Sequence, residues 1–111
     1  MTQVENVITE DEVKKIISHT LENEDDTGWL TKIESGRNLY KSLLEPNELV
    51  ISSIIAREEL KQDFLCFIFD MKGADITETV IEYNNLTHIA KEKVRLHKEE
   101  IQRQFLLSIA G

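Results

Sequence analysis

The stretch Phe64-Leu65-Cys66-Phe67-Ile68-Phe69-Asp70-Met71-Lys72-Gly73-Ala74-Asp75-Ile76-Thr77-Glu78-Thr79-Val80-Ile81-Glu82-Tyr83 decides how the chain is read. Six apolar residues, Phe64 to Phe69, run without a break and are bounded by charges. A run this short and aromatic predicts a strand buried on both faces. Lys72-Gly73-Ala74-Asp75 then supplies turn chemistry, because glycine takes a positive φ without steric penalty. The β-branched residues from Ile76 to Tyr83 predict a second strand, and the pair a hairpin. Glu78 and Glu82 place that second strand nearer an edge, where charge discourages edge-to-edge pairing.

Upstream, Thr9 and Glu12 form a capping box, with Ile8 and Val13 as a hydrophobic staple. A helix follows on the stripe Val13, Ile16, Ile17 and Leu21, and frays over Asn23 to Gly28. Residues 1–8 read as a loose arm or short strand. Residues 29–44 read as a hairpin turning at Glu34-Ser35-Gly36-Arg37; the competing helix would hold a glycine, at about 1 kcal/mol relative to alanine. Trp29 is expected to be a partly buried anchor. Glu45-Pro46-Asn47-Glu48 is a breaker, although Pro46 would also suit a first helical position. Residues 49–56 read as a strand on β-branched density, and residues 57–63 as a polar link. Asn85 or Thr87 caps a final helix, residues 87–109, on the stripe Ala90, Val94, His97, Ile101 and Phe105. The expectation is therefore a single domain, residues 1–111, of class α+β. A small antiparallel sheet of three to five strands is bracketed by an N-terminal and a C-terminal helix.

Composition narrows the function classes. The chain has 111 residues, 41% hydrophobic and 31% charged, enough for one modest core. Its formal net charge is −8, which disfavours non-specific binding to nucleic acid or an anionic membrane. The charge is uneven: −6 over residues 1–28, −4 over residues 29–86 and +2 over residues 87–111. No apolar run approaches the roughly 20 residues of a membrane helix. Cys66 is the single cysteine, and no basic stretch precedes an apolar one at the N-terminus; the expected compartment is the cytoplasm.

Chemistry-bearing groupings are sparse. None of His19, His88 and His97 lies four residues from another, and His97 with Glu100 is only a fragment of a metal site. No metal or cofactor is expected. Cys66 inside an apolar run reads as a core thiol, because a reactive one needs an electropositive, accessible setting. With glycines only at 28, 36, 73 and 111, no phosphate-cradling loop can be assembled.

One constellation stands out. Asp70 and Lys72, two apart at the end of the expected central strand, would point the same way. The acid-x-lysine pair resembles the core of the PD-(D/E)xK metal-dependent nucleases. That resemblance implies that Asp70 and a second acid hold a divalent metal and that Lys72 positions or activates water. The upstream Pro-Asp of the family is replaced by Pro46-Asn47-Glu48, leaving Glu48 as the second acid.

The leading expectation is a small acidic protein without catalytic activity that binds another protein, of inhibitor, immunity, adaptor or chaperone type, acting through helix faces and a sheet edge. The nuclease is the alternative. The expected binding residues are Phe105, Leu106, Leu107 and Ile109, which lie near 0°, 100°, 200° and 40° around a helix at roughly 100° per residue. One small sheet covers a single arc of that set, so the remainder is expected to meet another molecule, most simply in a homodimer. The competing accounts are that the final turn frays or that the N-terminal arm covers it.

Overall fold

The computed structural model describes residues 8–45 and 47–110, and among them every regular element is a helix. The order is α1 (Glu10–Asn23), α2 (Asp26–Leu43), α3 (Glu48–Ala56), α4 (Glu58–Met71) and α5 (Ile76–Ala110). The expected α+β class is thus overturned: the protein is all-α, with no strand among the described residues. The readings of residues 1–7 and of Pro46 lie outside the described residues.

The correction centres on Phe64–Phe69. This run is not a strand but the last turns of α4, and Asp63 through Ile68 are all buried. A helix that is apolar all round has neighbours all round. Those neighbours are here: α4 packs against α1, α2, α3 and α5. A sheet covered on two faces and a helix covered on every side demand the same unbroken apolar run, so periodicity does not separate them.

The remaining corrections follow from local chemistry. Of the stretch read as a hairpin, residues 29–43 lie inside α2 and Leu44 is its C-cap; the Asp25 carboxylate caps the other end by accepting from the Gly28 N–H at 2.7 Å. Gly36 is mid-helix and buried. A Cβ built there would sit 2.2 Å from the Asp63 carbonyl oxygen and 2.6 Å from the Phe67 Cβ. Glycine's poor helix propensity is offset by the close approach of α2 to α4 that it permits. Tyr40 against Phe67, with ring centroids 5.4 Å apart, and Trp29 edge-on to Phe69 at 6.2 Å flank the same crossing.

Residues 49–56 belong to α3, where the Asn47 side chain accepts from the Val50 N–H at 3.2 Å and Ile51 and Ile54 face the core. Residues 57–63, read as a link, are the N-cap Arg57 and the first turns of α4. The expected second strand, Ile76–Tyr83, is the start of α5, with the Asp75 carboxylate accepting from the Glu78 N–H at 3.0 Å. The final helix therefore begins eleven residues before Thr87. Instead of capping, the Thr87 hydroxyl donates to the Tyr83 carbonyl at 2.9 Å.

Two readings hold. The helix after Thr9 is present, with the Thr9 hydroxyl oxygen accepting from the Glu12 N–H at 3.3 Å. Ile8, Val13 and Ile17 are buried, although Thr20 rather than Leu21 completes the inner face. The turn at residues 72–75 is also present, with Gly73 at φ 68° and Ala74 at φ 65°. It reverses the chain from α4 into α5, not from strand to strand.

Candidate functional site

Helix α5 has 35 residues, about 52 Å at 1.5 Å each, against a longest molecular extent of 60 Å. Its first half belongs to the core. Thr79, Tyr83, Thr87 and Ala90 are buried, and Ile76, Val80, Leu86 and Val94 pack partly against it. Tyr83 meets Phe64 with ring centroids 5.8 Å apart. Beyond Val94 every described residue, from Arg95 to Ala110, is exposed. Among the described residues, the last ion pair between α5 and the bundle is that of Lys98, whose Nζ lies 2.7 Å from the Glu48 carboxylate at the start of α3. Residues 99–110 continue as a helical arm of about 18 Å. The radius of gyration, 16.5 Å, exceeds the roughly 13 Å of a compact chain of this length, as a projecting arm requires.

The arm has two zones. Between residues 92 and 104 charges pair along the helix. Arg95 reaches Glu92 at 2.8 Å and Glu99 at 2.7 Å, and Arg103 and Gln104 both hold Glu100. The hydrogen bond and charge of Arg95 draw the Glu92 carboxyl below its usual range. The Gln104 amide, with Arg103, lowers Glu100 likewise. Such exposed pairs are screened by solvent and support the helix only weakly. After Gln104 the arm carries no charge through Ala110. Phe105, Leu106, Leu107 and Ile109 are 62%, 59%, 60% and 66% exposed.

The structure places the nuclease-like residues apart. Asp70 is exposed near the end of α4, and Lys72 is the residue that caps that helix and pairs with Glu82 at 3.3 Å. Residues two apart at a helix end diverge, whereas the expected strand would have aligned them. Glu48 is engaged with Lys98 on α5. The described residues hold no group of three His, Cys, Asp or Glu side chains able to hold a metal. His19, His88 and His97 are exposed, so His97 does not share the packed stripe expected for it.

Sequence reasoning missed one polar cluster. Asp63, buried on α4, accepts from the Ser35 hydroxyl of α2 at 2.8 Å, and Lys32 Nζ lies 3.7 Å from its other oxygen and 3.9 Å from Glu24. The cluster spans the α2–α4 crossing beside Gly36 and fixes its register. Cys66, one turn along α4, is fully buried, and burial pushes its thiol up to about 11. It is a core side chain, not a nucleophile.

Comparison with family models, curated proteins and solved structures returns no match. Among the described residues, no helix is long and apolar enough to cross a membrane.

Proposed function

We propose that the protein is a non-catalytic binding module that docks onto another protein through the projecting end of α5. The observation that carries this reading is the uncharged tip, with Phe105, Leu106, Leu107 and Ile109 exposed on a helix standing clear of the bundle. Apolar side chains in the core are explained by folding. These four contribute nothing to the core and expose apolar surface that water disfavours. Helix faces of this kind bind by laying apolar anchors into a groove or against another helix.

The test compares the intact protein with a Leu106→Glu, Ile109→Glu double variant as bait in affinity capture. The expected outcome is a partner held by the intact protein and lost by the variant, with an unchanged far-ultraviolet circular dichroism spectrum. Equal recovery by both baits would remove the tip from the binding surface.

A further inference from the structure

Helix α5 runs on beyond the packing that supports it. Thr79, Tyr83, Thr87 and Ala90 are buried and Val94 packs partly against the core, but every described residue from Arg95 to Ala110 is exposed. Most helical stability in proteins comes from packing an apolar face, and an isolated helix shorter than roughly 12–15 residues is marginal in water. Whatever holds the exposed part of α5 is therefore local.

That local support stops short of the tip. The side-chain pairs Glu92–Arg95, Arg95–Glu99, Glu100–Arg103 and Glu100–Gln104 follow one another along the arm and end at Gln104. Among the described residues from Phe105 to Ala110, no side chain makes a hydrogen bond or an ion pair. The last turn holds no basic side chain to offset the negative end of the helix dipole. Phe105, Ser108 and Ile109 are weaker helix formers than the Glu, Gln and Arg residues before them.

We infer that residues 105–110 are a helix–coil switch: they exchange between a helix and an unravelled form while the bundle stays folded, and the helical form is the one that docks. The inference rests on the reading of the tip as a protein-docking surface. Taking Phe105 as the origin at roughly 100° per residue, Ile101, Phe105 and Ile109 lie near 320°, 0° and 40°, with Leu106 near 100° and Leu107 near 200°. Only the helix sets Ile101, Phe105 and Ile109 in one line; the unravelled form disperses them. Nucleation is no obstacle, because the helix up to Gln104 is a template onto which each further residue adds within nanoseconds. Docking then completes the helix, and the apparent affinity is the intrinsic one reduced by the fraction of tips already helical. Residues that touch no partner thereby set the strength of docking. Gln104 is one of them. It lies near 260°, in the gap between Leu107 and Ile101, and its amide reaches back to Glu100 at 2.9 Å.

Hydrogen exchange and backbone chemical shifts of the free protein test the switch, with Gln104→Gly compared with Gln104→Ala. Both variants remove the contact with Glu100, and they differ about fivefold in helix–coil ratio at that position. In the unaltered protein, amides from Tyr83 to Val94 are expected to be protected at least about a thousandfold, and those from Leu107 to Ala110 to exchange within about tenfold of an unstructured peptide. The tip shifts are expected between the helix and coil limits, nearer coil in Gln104→Gly than in Gln104→Ala, with one urea midpoint for the bundle in both variants. Tip amides protected as strongly as the core half of α5 overturn the inference, as do tip shifts at the coil limit in both variants. Equal tip shifts in the two variants also overturn it, because a tip held by anything but its own helix propensity does not respond. A bundle midpoint that moves with the tip removes the independence of the two. The bait comparison decides the docking reading separately: its failure leaves these shifts unchanged, and a rigid tip leaves docking unchanged.

Discussion

At the scale of single residues, Gly36 sets how closely two helices approach. A Cβ there meets a carbonyl oxygen of α4 at 2.2 Å, and the neighbour is backbone that a side-chain rotation does not relieve. Alanine would gain about 1 kcal/mol of helix propensity. It would also force α2 away from α4, weakening the Ser35–Asp63 hydrogen bond and the Tyr40–Phe67 contact beside it. Overpacking of this kind costs about 1–3 kcal/mol, and here the overlap is severe enough to outweigh the propensity gain. The expected outcome for Gly36→Ala is a net loss of about 1–2 kcal/mol in urea unfolding, with helical content retained. In the sequence, Gly36 beside Ser35 and Arg37 carries turn chemistry, which is why the hairpin was expected. Nothing local marks a glycine as an approach point, because the helix it must admit is 27 residues away at Asp63.

At the scale of elements, α4 explains both the misreading and its remedy. Six unbroken apolar residues say that a segment is surrounded, not what its backbone does. What would have decided the matter lies further along. Ile76, Val80, Tyr83, Thr87, Ala90 and Val94 follow spacings of four, three, four, three and four, a helical stripe that runs straight through the supposed strand and its end. β-branched density at Ile76–Ile81 hid it, and tertiary burial overrode that preference. Where local side-chain chemistry acts alone, as at Thr9 and at the Gly73 turn, the sequence was legible. The tip of α5 was legible as apolar, but the expectation that the protein's own sheet covers one arc of it fails: Phe105, Leu106, Leu107 and Ile109 are all exposed, because among the described residues no sheet lies beside the arm.

Cys66 reports on α4 directly. Burial raises its thiol from 9.0 to about 11, with nearby Asp63 and Glu24 adding to the rise and Lys32 opposing it. Between pH 9 and 11 the unfolded chain releases a proton that the folded chain keeps. Stability therefore falls as pH rises through that window, and this thiol has no pH effect below it. Tyr83, pushed up to about 12 from 10.0 mainly by burial, extends the loss upward. Chemical unfolding followed from pH 8 to 11 is expected to show the decline, with Cys66→Ala flattening its lower part. An unchanged slope in that variant would assign the decline to other groups.

For the whole molecule, the division of α5 into a core half and an arm predicts separable effects. Residues 99–110 bury nothing in the bundle, and the Glu48–Lys98 pair at their base is exposed, a kind of contact worth at most about 1 kcal/mol. A chain ending at Lys98 is expected to keep its fold, with a melting temperature within about 5 °C of the full chain, and to lose association entirely. A large loss of stability on truncation would mean that the arm is part of the folding unit. The other half of α5 behaves differently. It touches α1, α3 and α4, and through Asn84 and Thr77 it holds both Ile8 and Glu10 at the opposite end of the sequence. This has a consequence for the protein's making. When α4 leaves the ribosome, the helix that covers one side of its apolar run has not been synthesised. At 5–20 residues per second the 35 residues of α5 take roughly 2–7 s. For those seconds the most apolar segment of the nascent chain has only three of its four covers, which makes it the surface a cotranslational chaperone would meet first.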